Sequence, residues 1–234
     1  MSKTGNDVHE IRFTAYPKLL FIWPIIVAGF LLYPLAGMAP PDSVMETVIG
    51  WIYIMVLVFV LITLGVDVDR NQAIFLIVLT IALWLGAFVL ENFKNVPVLS
   101  WIHEQLKSLD VRYDRGFGMA VAIILLIPFS MMLIVARFND RWRITHNEFE
   151  HYSFGKMDDS LGRGAKSIRA SFPDVFELVL GMAGTLIVYN ATGTQELRRI
   201  NNVMFLPLIR KKLNKILEST SVTAAMIEED DDDA

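Results

Sequence analysis

The sequence predicts an α-helical membrane bundle of four transmembrane helices, followed by a small β-rich barrel with a capping helix. Three observations predict this fold class. Of the 234 residues, 54% are hydrophobic, which is more than a soluble domain of this length usually contains. The apolar residues are concentrated in four blocks, each about long enough to cross a bilayer as a helix. After the last block the pattern changes to short alternating segments, which are typical of strands.

Four segments are predicted to span the membrane, because a bilayer core needs about 20 apolar residues of helix. None of them contains a charged residue or a histidine well inside it. The first segment is too long for the core of a signal peptide, so we expect it to be retained. Residues 1–16 then form an N-terminal lead, and residues 17–138 form the membrane domain. The predicted spans are Pro17–Leu35, Val48–Val66, Ala73–Leu90 and Phe117–Ala136.

Lysine and arginine residues near the span ends predict that both termini face the cytoplasm. They precede the first span, occur between the second and third, and follow the fourth, whereas the turn at 37–46 has none. The loop at 92–116 is the exception, because it carries four basic residues on the expected outer side. We therefore expect a multi-pass protein of the inner (cytoplasmic) membrane. The basic residues that support this orientation are Lys3, Arg12, Lys18, Arg70, Arg137, Arg141 and Arg143.

The loop at 92–116 contains a predicted amphipathic helix. Its leucine and isoleucine residues recur at spacings of three, four and three, which gives one apolar stripe. Trp101 lies beside the stripe, and tryptophan is common at headgroup depth. We expect an interfacial helix that caps a pore, contacts a partner or packs against the spans. The stripe is formed by Leu99, Ile102, Leu106 and Leu109.

A β-hairpin is predicted directly after the fourth span. Trp142 and Ile144 alternate with polar residues, and a second aromatic run at 149–154 follows a polar break. The stretch at 155–166 is rich in glycine and charge, so it is predicted to be a loop.

Residues 167–200 are predicted to form further strands. The apolar run at 175–180 is predicted to be a buried strand, and 184–189 a strand that leads into a turn. The chain then returns to helical spacing, with Pro207 in a first turn. This final helix has apolar Leu206, Ile209, Leu213 and Ile216 on one face and basic Arg210, Lys211, Lys212 and Lys215 on the others.

Three segments, "WRITHNEFEHYS", "GMAGTLIVYNATG" and "INNVMFLPLIRKKLNKIL", resemble the bacterial pleckstrin-homology-like (PH-like) domains that are attached to membrane helices. Residues 142–145 match the opening of the family's first hairpin. Residues 183–188 match its late small-residue strand in part, since Met182 stands where the first glycine is expected. The resemblance covers residues 141–219. It implies a split barrel, capped by its C-terminal helix, that acts as an interaction or assembly module.

The sequence offers no set of residues with a recognisable catalytic or metal-binding spacing. The segment "HNEFEH" at 146–151 holds four possible metal ligands, but a hairpin directs successive side chains to opposite faces. The segment "DVDRNQ" at 67–72 lacks the sixth-position glycine and the twelfth-position glutamate of a calcium loop. Cysteine is absent, which excludes thiolate-bound zinc and iron–sulfur clusters. We therefore expect no enzyme activity, no cofactor and no metal.

Two groups of basic residues are predicted to contact anionic lipid headgroups or a protein partner, since each base near a membrane contributes on the order of 1 kcal/mol. For the group after the fourth span, the ordinary excess of basic residues on the cytoplasmic side is the alternative explanation. The acidic tail at 223–234 is predicted to be disordered or docked on a basic surface. The first group is Arg137, Arg141 and Arg143, and the second is Lys156, Arg163, Lys166 and Arg169.

These observations predict a non-enzymatic membrane scaffold or assembly protein. Residues 139–222 would form a cytoplasmic PH-like domain that self-associates or recruits a partner. The expected partners are membrane lipids, further copies of the chain and a second protein, but not nucleic acid. The alternatives are a small oligomeric channel or transporter with a soluble vestibule, and an accessory subunit of a larger membrane complex. The spans argue against a proton-coupled pump, because they hold no ionisable residue in their interiors.

Overall fold

The structure is a computed structural model that describes residues 10–41, 43–145, 148–162, 167–190 and 192–213. The chain divides into two compact units. The helical unit comprises Phe21–Ser130 together with Pro173–Phe176. The β unit comprises the chain up to Leu20, Met131–Phe172 and the chain from Glu177 onward, and it contains all the described strands.

Four helical segments in the described part of the chain are long and apolar enough to cross a membrane, as the sequence predicts, and the first runs from Lys18 to Met38. A fifth, shorter helix lies where the amphipathic loop helix is predicted. A 3₁₀ turn at Lys18–Ile22 precedes the first long helix. The helices are α1 (Trp23–Met38), α2 (Val44–Gly65), α3 (Arg70–Lys94), the shorter α4 (Val98–Ser108) and α5 (Arg115–Asn139).

Helices α1 and α2 and the first part of α5 pack around one apolar core in the helical unit. A Cβ atom on Gly29 of α1 would lie 2.6 Å from both the Gly118 carbonyl oxygen and the Ala122 Cβ of α5. Only glycine allows the two helices to approach this closely. Tyr53 of α2 meets Tyr113 edge to face, with ring centroids 5.2 Å apart. The segment before α5 therefore contributes an aromatic ring to the core.

Helix α3 lies apart from this core, since none of its residues is buried within the single chain. Its first turn is fixed by a reciprocal capping box between Asp69 and Gln72. At its other end, the Glu91 carboxylate accepts hydrogen bonds from the backbone N–H groups of Leu99 (2.8 Å) and Ser100 (3.2 Å). This contact holds the start of α4 against the end of α3.

Seven strands in the described part of the β unit form two antiparallel sheets. The predicted mixture of apolar helices and sheet is confirmed, but in the described part of the chain the strands do not close into a barrel. A single bridge between Ala15 and Val203 links the two sheets. The first sheet has the order β1 (Glu10–Thr14), β2 (Arg141–Thr145), β3 (Glu148–Ser153), β4 (Lys156–Gly162), and the second the order β5 (Ser167–Ser171), β6 (Gly184–Tyr189), β7 (Glu196–Val203).

Strand β1 comes from the N-terminal lead, for which no strand is predicted. It pairs with β2 along its whole length, with Ile11 opposite Ile144 and Phe13 opposite Trp142. All four of these side chains are buried. The lead and the segment after the fourth long helix therefore belong to one sheet.

Two local predictions are wrong. Residues 175–180, predicted as a buried strand, form helix α6 (Val175–Gly181). The helix starts because Asp174 accepts a hydrogen bond from the Phe176 N–H at 2.7 Å, as an N-cap residue does. The stretch at 155–166, predicted as a loop, contains β4 instead, because its backbone pairs with β3 after a two-residue turn.

The two sheets and a last helix share one core. Residues 206–213 form this helix, α7, and Leu206 and Leu213 are buried where the predicted apolar face requires them. Ile209 packs against the same core, whereas Ile216 and Lys215 lie outside the described residues. The other buried members of the core are Ile11, Phe13, Trp142, Ile144, Phe149, Leu186, Val188, Ile200 and Val203.

Candidate functional site

The β unit contains a pocket of about 850 Å³, which we name the arginine pocket. Its walls come from β1, the last turn of α5, the start of β2, and the end of β3 with the turn that follows it. The charged and aromatic residues that line it are Arg12, Arg137, Arg141, Arg143, Phe13, Phe138, Trp142, Tyr152 and Phe154.

The register of the first sheet places Arg12 directly opposite Arg143. Like charges in such a cross-strand pair repel each other. Glu10 offsets this repulsion, because one carboxylate oxygen lies 2.7 Å from Nη2 of Arg12 and the other lies 2.7 Å from Nη2 of Arg143. Arg143 also lies 3.4 Å from Glu150, whose carboxylate accepts a hydrogen bond from the Tyr152 hydroxyl at 2.8 Å. Two carboxylates thus hold these two arginines in place.

Glu10 stays ionised at neutral pH. The hydrogen bond from Arg143 holds the pKa of the Glu10 carboxyl below its ordinary value, and the charges of Arg12 and Arg143 act in the same direction. The Glu10 side chain is partly exposed, so water screens these ion pairs and their contribution to stability is small.

Arg137 and Arg141 have no carboxylate partner in the described part of the chain. Arg141 donates a hydrogen bond from Nε to the carbonyl oxygen of Arg137, and its guanidinium carbon lies 5.9 Å from the centroid of the Phe138 ring. Both arginine side chains are exposed. Four guanidinium groups line the pocket, and among the described residues two carboxylates pair with them, which leaves an excess of two positive charges there. The pocket therefore attracts anions.

The turn between β3 and β4 forms one wall of the pocket and is fixed on the end of α5. Phe154 and Gly155 both have positive φ angles, 48° and 77°. Two-residue hairpin turns of this kind favour Asn-Gly, because most side chains are strained at the first position. The Phe154 N–H donates to the Phe138 carbonyl oxygen at 2.9 Å, and the Ser153 hydroxyl donates to the Asn139 side chain at 2.6 Å. The Phe154 ring itself remains 72% exposed.

Comparison with known proteins adds no family to this geometry. No protein-family model, curated protein or solved structure matches the chain. The resemblance to PH-like domains stays a prediction. The chemistry of the arginine pocket is therefore inferred from its own residues.

The first predicted group, Arg137, Arg141 and Arg143, lies together in this pocket. Sequence reasoning misses Arg12, which reaches the same pocket through the pairing of β1 with β2. One signal could have found it. Polar residues alternate with Ile11 and Phe13 over residues 10–14, and such alternation is typical of a half-buried strand.

The second predicted group is not assembled into one site by its described members. Lys156 begins β4 in the first sheet, whereas Arg169 lies on β5 in the second sheet. The Arg169 guanidinium carbon stands 5.0 Å from the centroid of the Tyr189 ring. Arg163 and Lys166 lie outside the described residues.

The segment at 146–151 contributes one buried histidine to the β unit, and His146 lies outside the described residues. The His151 ring packs on Trp142, with ring centroids 4.4 Å apart. Its Nε2 lies 3.7 Å from an Asp140 carboxylate oxygen, and its Nδ1 lies 3.7 Å from one of Asp158. Because these carboxylates face opposite nitrogens of the ring, they cannot bind one metal ion together with it. His151 instead lies between Asp158 of β4 and Asp140, and neither ring nitrogen has a hydrogen-bond partner among the described residues.

Proposed function

We propose that the protein is a non-enzymatic integral membrane scaffold, whose PH-like β unit self-associates or recruits a partner at the cytoplasmic face of the inner membrane. The observation that carries the proposal is the pairing of β1 with β2. These strands precede the first and follow the last of the four long apolar helices. One sheet is therefore connected through the chain to both ends of the segment that contains these helices, which supports an interaction domain next to the membrane.

The topology supports the proposed orientation. Two strands can pair only on the same side of a membrane, and four spans return the chain to the side on which it started. The basic residues near the span ends favour the cytoplasmic side. Seven strands in two sheets, followed by α7 over their common core, are compatible with the split barrel and capping helix of a PH-like domain.

Helix α3 supports the proposed self-association. It has no buried residue in the single chain, and Trp84 stacks on Phe88 along its surface with ring centroids 6.0 Å apart. A helix that is apolar all round is covered either by lipid or by other helices. In a homo-oligomer, α3 is the span with the largest surface free for a second copy.

Cysteine crosslinking tests self-association sharply, because the chain contains no cysteine of its own. Gly86→Cys places a thiol in open space on α3, and Leu208→Cys places one on the exposed side of α7. We expect oxidation in native membranes to give dimers from at least one of these variants. Val60→Cys, which is fully buried in α2, is the control and should stay monomeric.

Native mass spectrometry after gentle detergent extraction supplies the subunit number. A homo-oligomer or a stable complex with a second protein agrees with a scaffold. A monomer without partners, together with no crosslink at either exposed position, would contradict the proposal.

A small channel or transporter is the second candidate, and one observation in the helical unit favours it. The hydroxyl groups of Tyr53 and Tyr113 are buried, and neither has a hydrogen-bond partner among the described residues. Burial also raises the pKa of Tyr113. Buried polar groups without protein partners commonly bind water. Ion flux into liposomes that changes in a Tyr53→Phe, Tyr113→Phe variant would support this candidate, and no flux from correctly inserted protein would remove it.

A further inference from the structure

We infer that the arginine pocket binds the phosphate group of an anionic phospholipid whose acyl chains remain in the membrane. The inference rests on the membrane attachment proposed above, and it adds a defined site and a ligand class to it. Four features carry it: the unbalanced charge, the position on α5, the exposed aromatic rings and the geometry of the β3–β4 turn.

The unbalanced charge lies on the two arginines nearest to α5. Arg137 and Arg141 project guanidinium groups that no carboxylate neutralises in the described part of the chain. A guanidinium group offers several coplanar N–H donors, which match phosphate oxygens in pairs. Arg12 and Arg143 line the same pocket, and each is paired with Glu10. A phosphate that enters the pocket therefore meets several guanidinium donors.

The position on α5 matches the depth of lipid phosphates. From Gly116 to Ala136 the helix carries no charged residue, and Arg137 is the first residue after this stretch. If α5 spans the bilayer, Arg137 lies where the hydrocarbon core gives way to headgroups. The pocket opens beside the same turn, since Phe138 and Arg141 also line it.

Two exposed aromatic rings distinguish a lipid from a soluble phosphate. Phe138 is 54% exposed and Phe154 is 72% exposed, and both line the pocket. Aromatic rings at the membrane interface bury apolar surface among lipids, whereas free phosphate gives them nothing to bury against. The pocket volume of about 850 Å³ is also far larger than one phosphate group requires, and it falls in the usual range for small-molecule sites.

The geometry of the turn indicates that Phe154 has a role other than stability. Its φ of 48° is a conformation in which a bulky side chain is strained, and asparagine or glycine would fit better. The ring gains little from burial, because it is mostly exposed. Local strain of this kind is common where a residue makes a functional contact. Contact with lipid would bury the ring and offset the strain.

The decisive experiment is lipid titration of the full-length protein in detergent micelles, followed by native mass spectrometry. Phosphatidylglycerol is the anionic probe, and phosphatidylcholine is the zwitterionic one. We expect retained phosphatidylglycerol and weaker retention of phosphatidylcholine. Replacing both Arg137 and Arg141 by glutamine should weaken phosphatidylglycerol binding about thirtyfold, since each base near the membrane surface contributes roughly a fivefold effect.

The matched control removes the same charge elsewhere in the β unit. Arg210→Gln with Lys211→Gln acts on exposed residues of α7 that do not line the pocket. We expect less than a threefold effect on binding, roughly the scale of surface substitutions away from a site. Equal losses in the two double variants would show diffuse electrostatic attraction and overturn the inference.

A second variant separates binding from folding. Phe154→Asn suits the positive φ of the turn, so it should leave the thermal midpoint unchanged or raise it. It should nevertheless weaken phosphatidylglycerol binding severalfold, because the ring is lost. Unchanged binding in this variant would remove the aromatic ring from the site and overturn the lipid inference.

Competition with a soluble phosphate tests the lipid inference, and extraction of the protein tests the proposed membrane attachment separately. Soluble glycerol phosphate at millimolar concentration should not displace the lipid, and displacement would mean that the pocket binds soluble phosphates instead. Equal binding of both lipids would also overturn the inference. If the protein left the membrane without detergent, the proposed membrane attachment itself would be wrong, which is a separate outcome.

Discussion

Replacing Ile11 by alanine tests whether the N-terminal lead is a structural part of the β unit. Ile11 is 4% exposed and stands opposite Ile144 in the sheet, within the core that both sheets share. The change removes three carbon atoms, each contributing about 0.8 kcal/mol when buried, and it leaves a cavity. We expect the free energy of unfolding of the β unit to fall by about 3 kcal/mol, within the range typical of such truncations.

Hydrogen exchange measured by mass spectrometry on the detergent-solubilised protein is the assay. A loss of about 3 kcal/mol raises the population of the open state about 150-fold. Peptides that cover β2 and β3 should therefore exchange faster by about this factor wherever exchange requires opening of the whole unit. Ile11→Val should give an intermediate effect, about fivefold, since it removes a single methyl group. Met157→Ala on β4 is the control, because that side chain is 52% exposed.

The result that would refute the reasoning is equal protection of β2 in Ile11→Ala and in Met157→Ala. The lead would then contribute nothing to the sheet. No strand pairing would then place both ends of the membrane region on one side of the membrane, because β1 and β2 are the strands that do so.

Three further predictions concern the helical unit and the ion pairs. Gly118→Ala should lower the thermal midpoint by several degrees, because the new Cβ would overlap the Tyr113 hydroxyl and overpacking costs about 1–3 kcal/mol. Scanning fluorimetry in detergent measures the midpoint, and an unchanged value would contradict this packing. Tyr113→Phe should leave the midpoint unchanged or raise it slightly, since it removes a buried hydroxyl without a hydrogen-bond partner in the described part of the chain. A clear decrease would show that the hydroxyl makes a hydrogen bond. Glu10→Gln should lower the midpoint at pH 7 but not at acid pH. The folded-state pKa of Glu10 is lowered, so its stabilisation is present above the unfolded pKa of about 4.3 and is lost as the pH falls through the folded value. If the difference in thermal midpoint between the wild type and Glu10→Gln did not change with pH, the ion pair could not be its source.

The long helices could be predicted because the property that places them is local. An apolar stretch of about 20 residues has the same meaning whatever surrounds it. The segment around α4 was predictable for the same reason, since its stripe recurs within eleven residues. Neither pattern says which helices pack together. The packing of α1 against α5 depends on the small residue Gly29, whose close contact with α5 the sequence pattern does not show.

The misplaced strand at 175–180 shows the limit of short apolar runs. A run of six apolar residues fits a buried strand and a buried helix equally well, because periodicity is not resolved over that length. The deciding signal lies just before it. Pro173 and Asp174 form a typical helix start, and the Asp174 side chain does accept the Phe176 N–H. The helix cap formed by Asp174 therefore decides the secondary structure of the apolar run that follows.

The arginine pocket could be predicted only in part, because half of its charge balance is non-local. Arg137, Arg141 and Arg143 are close in sequence, and their excess of charge is visible there. Arg12 and Glu10 join them only through the pairing of β1 with β2. The alternation of residues 10–14 is typical of a strand, but no pattern within the N-terminal lead identifies β2 as its partner.

Glu10 links the stability of the β unit to the affinity of its pocket, with opposite signs. At neutral pH its carboxylate holds Arg12 and Arg143 and so stabilises the sheet, yet it also cancels one of the four positive charges that line the pocket. Glu10→Gln should therefore lower the thermal midpoint and tighten phosphatidylglycerol binding about fivefold, the effect of one additional base at the membrane surface. An ion pair with a purely structural role would instead lose stability and leave binding unchanged or weaker, because the guanidinium groups would lose their orientation. A tighter complex in a less stable protein would therefore support an anion-binding pocket beside Glu10.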